Sequence, residues 1–164
     1  AGWKEGEKGD GTRGRGVAFA KYKNLATYVA VVAEVEIDRK TGRVRVPRAF
    51  AAADAGQIIN PDGLSNQIEG GMIQSTSWTL HEAVRFDRNG ITSRDWSGYP
   101  ILTMPEVPDV DVALINRPEE KPLGAGEASQ GPMAAAIANA FAHASGGRLR
   151  DLPFSPERVK TALG

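Results

Sequence analysis

Glu127 stands in the run Leu123-Gly124-Ala125-Gly126-Glu127-Ala128-Ser129, directly ahead of an alanine-rich stretch. Backbone N–H groups in a loop of small residues favour an anion. The carboxylate is therefore open to three uses: a helix-capping acid, part of a phosphate cradle, or a working base. As a capping acid it would complement the macrodipole of the helix that follows. Five residues lead from it to Pro132, the expected first-turn proline, which places the acid in the loop rather than in the first turn. As a cradle, Gly124-Ala125-Gly126 begins the pattern G-x-G-x-x-G, but Ser129 takes the place of the third glycine. Pro118-Glu119-Glu120-Lys121-Pro122 also separates the loop from the strand that such a fingerprint should follow at once. A second carboxylate, Glu69 or Glu106, would be needed for glycosidase chemistry, and a plain surface role accounts for Glu69 equally well.

The bulk of the chain narrows the field. Its 164 residues suit one domain with a real core, and twenty basic residues cancel twenty acidic ones, so no positive field invites nucleic acid. There is no cysteine, which excludes disulfides, thiolate nucleophiles and cysteine-held clusters within the chain. The two histidines, His81 and His143, are too few for a metal cage. No apolar run reaches the length a bilayer needs, and no signal-peptide pattern opens the chain.

The elements that must position Glu127 follow from period and punctuation. Residues 1–16 are glycine-rich and charged, with Trp3 as the single large apolar group, and read as a flexible leading segment before a domain at 17–164. A short strand opens that domain. Residues 27–38 are β-branched and partly alternating, residues 43–54 return as an antiparallel partner, and Gly42 serves the turn between them. Pro47 predicts an edge or a bulge. Asn60 and Pro61 then announce a helix over residues 60–84. Leu64, Ile68, Met72, Thr76 and Leu80 fall on one face for the core, while Gln67, Gly71, Gln74, Trp78 and His81 form a second that another element or a ligand can approach closely. Gly70 and Gly71 each cost such a helix about 1 kcal/mol relative to alanine, which implies a packing or contact role. A hairpin at Asn89-Gly90, an ordered loop over 93–109, a strand over 110–117, a helix from about Pro132 to Ala144 and a terminal helix capped by Ser155 complete the order. The predicted class is α+β: a mixed, mostly antiparallel sheet packed with two or three helices.

Two stretches carry a resemblance when taken as a set. Residues 53–74, "ADAGQIINPDGLSNQIEGGMIQ", followed by residues 123–141, "LGAGEASQGPMAAAIANAF", resemble the C-terminal part of the molybdopterin-binding large subunit in the xanthine dehydrogenase and aldehyde oxidase family. The likeness is nearest to the isoquinoline 1-oxidoreductase and nicotinate dehydrogenase type, and it runs from about Gly14 to the end. The resemblance implies that Glu127 is the active-site base beside molybdenum and that Gln67 contacts the molybdenum cofactor. It further implies that Gly126 lets backbone approach the centre and that Gly70 and Gly71 are close-approach positions. The cofactor would be molybdopterin, in its plain or cytosine-dinucleotide form, with iron–sulfur clusters carried only by a partner chain. Partners would be the remainder of the large subunit, a two-cluster iron–sulfur subunit and a small aldehyde or N-heteroaromatic substrate hydroxylated with oxygen from water. Relatives of this kind occur in both cytoplasm and periplasm. Ser75, where many relatives have glycine, and Ala125, where valine is commoner, depart from the pattern. On this likeness the chain alone is an inactive piece of a catalytic subunit, prone to self-association; the alternative is a non-catalytic assembly domain that keeps the fold.

Overall fold

The computed structural model describes residues 1–3 and 6–164. Four strands form the main sheet, β1 (Arg13–Lys21), β2 (Tyr28–Asp38), β3 (Arg43–Asp54) and β6 (Asp109–Ile115), in the order β1-β2-β3-β6. The first three run antiparallel, and β6 lies parallel to β3, so the sheet is mixed and mostly antiparallel as the patterning requires. Two-residue strands β4 (Phe86–Asp87) and β5 (Gly90–Ile91) make a separate hairpin. Helices α1 (Pro61–Leu80), α2 (Gln130–Ser145) and α3 (Pro156–Leu163) complete the α+β architecture.

Alternation decides which sheet face is covered. Val29, Val31, Ala33, Val35 and Ile37 on β2, with Ala49, Ala51 and Ala53 on β3, are buried beneath the helices. From α2, Met133, Ala136, Ile137, Ala140 and Phe141 close over them, while Ile68 and Met72 enter from α1. Each large aliphatic or aromatic side chain among them contributes about 1.5–3 kcal/mol when fully buried. The opposite sheet face is left open, with Val17, Phe19, Tyr28 and Ile115 all substantially exposed.

Pro47 sits where β3 carries one residue more than β2: Glu34 faces Arg48 and Glu36 faces Arg45. The bulge, and not an edge, accommodates it, since β3 is a central strand whose pairing with β6 begins only at Arg48. Gly42 takes φ +78° at the β2–β3 turn. Asn60 Oδ1 accepts the Gly63 N–H at 3.0 Å and caps α1. On the expected core face, Ile68, Met72, Thr76 and Leu80 are buried and Leu64 is half-buried.

Several boundaries differ from those the sequence suggests. The leading segment expected to run to residue 16 gives way at Arg13, where β1 begins. Gly14 and Gly16 lie against the backbone of α2: a Cβ on Gly14 would meet Ala140 O and Ala144 N at 2.5 Å, and one on Gly16 would fall onto Ala140 N and Ala136 O. The glycines are there so that a helix can lie directly on the strand. Helix α1 ends at Leu80, and α2 starts at Gln130, two residues before Pro132, which occupies the third helical position, where no N–H is required. The small hairpin turns through Arg88-Asn89, one residue earlier than expected, because Asp87 pairs with Gly90.

Candidate functional site

The Glu127 loop is clamped from two sides. On one side α1 presents Gln67, Ile68, Gly71, Gln74 and Ser75, spaced so that they share one helical face. Gln67 Nε2 donates to Gly126 O at 2.7 Å. Ser129 Oγ donates to Ile68 O at 2.8 Å, and a Cβ on Gly71 would collide with that same hydroxyl oxygen. Ser75 Oγ donates to Gln130 O at 2.7 Å, and Gln130 Nε2 donates to Gln74 Oε1 at 2.7 Å. The second face of α1 is therefore approached closely, by the loop and the first residue of α2. Ser75 supplies one of the bonds.

On the other side stands the connection between β1 and β2. Thr27 Oγ1 donates to Gly124 O at 2.9 Å, and the Tyr22 hydroxyl donates to Glu127 Oε2 at 2.6 Å. The hydrogen bond to Glu127 is the main reason the Tyr22 phenol is held above its ordinary pKa. Neither Tyr22 nor Thr27 is signalled in the sequence. Tyr22 lies 105 residues from Glu127, and nothing local to "AKYKN" distinguishes it from a strand-end tyrosine.

Glu127 does not cap α2. The N-cap position is Ser129, and the Glu127 carboxylate turns to Tyr22 instead. The three positions the sequence puts together, Gln67, Gly126 and Glu127, are adjacent. Gly71 is a packing glycine, buried under Ser129, so its close approach is to the protein itself. Gly70 is exposed, and a Cβ there would meet nothing within 4 Å, so it is not a close-approach position within this chain. The same open space lies above Gly124, Gly126 and Gly131.

The competing chemistries find no support in this arrangement. Glu106 closes a capping box with Thr103 and lies 3.8 Å from His81, just past the C-terminal end of α1. Gln67 and His81 are fourteen residues apart, roughly 20 Å along a helix at its usual rise, so Glu106 and Glu127 are not a catalytic pair. A dinucleotide fingerprint would follow its strand at once, whereas residues 116–129 separate β6 from α2.

The site is polar and open. Gln67, Gly126 and Glu127 are exposed. Among the described residues no cluster of three or more His, Cys, Asp or Glu could hold a metal ion. A metal bound here would have to bring its own ligands, leaving the protein to provide amide contacts and a carboxylate. An exposed glutamine amide, unobstructed glycine backbone and a carboxylate with one oxygen already fixed suit a pterin-borne metal of that kind.

Comparison with known proteins identifies the family. The molybdopterin cofactor-binding domain family matches residues 3–108. The nicotinate dehydrogenase subunit of Pseudomonas putida is 48% identical over 163 residues, covering 96% of this chain and 14% of that protein. The beta subunit of isoquinoline 1-oxidoreductase from Brevundimonas diminuta is 35% identical over 141 residues, 86% of this chain and 18% of the relative. The crystal structure of quinoline 2-oxidoreductase from Pseudomonas putida 86 matches with a TM-score of 0.77 at 30% identity, over 84% of this chain and 18% of the other. The chain thus spans less than a fifth of the length of these relatives. A shared fold, a family match over most of the chain and identity approaching one half lead to one conclusion: this chain belongs to the molybdopterin cofactor-binding domain family, among the molybdenum-binding subunits of the xanthine dehydrogenase and aldehyde oxidase type.

Proposed function

We propose that this chain forms one wall of the active site of a molybdenum hydroxylase acting on an aldehyde or an N-heteroaromatic ring, with Glu127 as the general base. The observation that carries the reading is the Gln67 amide on the Gly126 carbonyl, which seats the helix and the acid of the two sequence motifs in one exposed polar site. In the net reaction a substrate C–H bond gives way to C–OH, the oxygen comes from water, and two electrons and two protons leave. The cofactor, when bound, supplies the two-electron redox chemistry. Gln67 and the open backbone at Gly126 would hold its organic part by hydrogen bonding, in the plain or the cytosine-dinucleotide form. Glu127 Oε1, which accepts no hydrogen bond among the described residues, takes the proton released as the oxygen nucleophile attacks. Iron–sulfur clusters on a partner chain would take up the electrons, and the remainder of a large subunit would supply the walls this chain lacks.

Two measurements test the proposal. The 164-residue chain alone is expected to show background turnover with aldehydes and N-heterocycles, since its base is exposed to solvent; sustained hydroxylation by the isolated chain would contradict it. In the complete subunit, Gln67→Ala is expected to lower molybdenum content by a factor of about 10, the low end of the range for losing one supporting contact to a metal site. Full molybdenum retention in that variant would remove Gln67 from the cofactor site.

A further inference from the structure

We propose that Tyr22 is the positioning residue for Glu127: its phenol holds one carboxylate oxygen and leaves the other free as the proton acceptor. The inference deepens the proposed function and rests on it.

Three observations support it. The first is the bond itself, a phenol donating to a carboxylate oxygen at 2.6 Å, within the short range of charge-assisted O–H···O⁻ pairs. Glu127 takes part in no ion pair among the described residues, so this phenol is the one protein donor fixing the carboxylate. The second is the backbone that delivers the phenol. Lys23 and Asn24 are consecutive non-glycine residues in the left-handed region, at φ +50° and +59°, and they are the only such residues among those described. Strain of this kind persists where surrounding structure over-determines it, and it clusters at working sites. The third is that surrounding structure. Tyr22 N–H donates to Thr27 O at 2.8 Å, and Ala26 N–H donates back to Tyr22 O at 2.9 Å. Thr27 then ties the same turn to Gly124 O. The Lys23 ammonium lies 5.1 Å over the Tyr22 ring. A turn whose task was merely to join β1 to β2 would not need side-chain hydrogen bonds from Tyr22 and Thr27 to the Glu127 loop.

The chemical logic is one of selection between equivalent atoms. A glutamate side chain on a glycine-rich loop has three rotatable bonds and two interchangeable oxygens, and a base must present one oxygen in one place. The phenol removes Oε2 from the choice. Bases held in place act on their substrate with less reorganisation, and misplacement on the ångström scale costs on the order of 100-fold in rate.

The test has a readout that needs no cofactor. The chain holds three tyrosines, Tyr22, Tyr28 and Tyr99, and subtracting the tyrosinate absorbance titration of Tyr22→Phe from that of the unmodified chain isolates Tyr22. Tyr22 is expected to titrate above the ordinary value of about 10 and to fall back toward it in Glu127→Gln. In the complete enzyme, Tyr22→Phe is expected to lower kcat between about 10-fold and 100-fold, with KM and molybdenum content unchanged. Identical Tyr22 titration with and without the Glu127 carboxylate would overturn the pairing, whatever the enzyme does. Full kcat in Tyr22→Phe alongside a dead Glu127→Gln enzyme would overturn the positioning role and leave Glu127 as the base. An active Glu127→Gln enzyme would instead sink the proposed function, and Tyr22's role with it, even if the titration coupling were present.

Discussion

Glu127→Gln in the complete enzyme is expected to lower kcat by a factor of about 10²–10⁴, the usual contribution of a positioned general base, while molybdenum content stays at the unmodified level. Glutamine is nearly isosteric, and its amide oxygen still accepts the Tyr22 hydrogen bond, so loop geometry is preserved. What disappears is the capacity to take a proton at the free atom. Cofactor retention follows because the proposed holding contacts belong to Gln67 and the Gly126 backbone, which the substitution does not touch. Steady-state turnover set against metal analysis separates the two effects. A variant with more than about a tenth of normal kcat falls outside that range and would assign the base elsewhere.

Gly16→Val is expected to destabilise the chain by about 3 kcal/mol or more, at or beyond the upper end of overpacking costs. That is a loss of roughly 6–12 °C in Tm for a domain of this size, or failure to fold. The clash is with Ala140 N and Ala136 O, which are helix backbone and cannot swing aside as a side chain can. Relief would require lifting α2 from β1, and with it Met133, Ile137 and Phe141 from the core. Gly70→Ala provides the contrast. Nothing lies within 4 Å of a Cβ there, and the position is helical, so that variant gains about 0.5–1 kcal/mol through a less flexible unfolded chain and better helix propensity. Urea or thermal unfolding of the two variants should move in opposite directions; equal stability of Gly16→Val and the unmodified chain would refute the close approach of strand and helix.

The two glycines show how far local sequence carries information. Helix α1 is legible because its signals are local: Asn60 and Pro61 mark its start, and apolar residues recur at steps of four along it. The β2–β3 hairpin is legible for the same reason, through alternation and Gly42. Residues 13–16 are not, because arginine and glycine at such density have the composition of a linker. The fact that makes them a strand, a helix backbone laid across Gly14 and Gly16, is written more than a hundred residues later. The start of α2 is displaced from its expected place because proline, which favours the first helical position, serves equally well at the third.

The site divides along the same line. Gln67, Gly126 and Glu127 belong to two contiguous motifs that point to them, and the structure brings them together. Gly71, expected to admit another element or a ligand, admits Ser129, while a Cβ on Gly70 would meet nothing within 4 Å. Tyr22 is invisible to local reading because its partner is a tertiary one, and its turn carries no glycine to betray the left-handed backbone at Lys23 and Asn24.

The seating of β1 beneath α2 also bears on synthesis. During translation strand β1 emerges before α2, and the helix that must lie on Gly14 and Gly16 is completed only at Ser145. Contacts of such long sequence separation form late and slowly. The β1–β2 pair therefore keeps the face that α2 covers bare until that helix has been delivered.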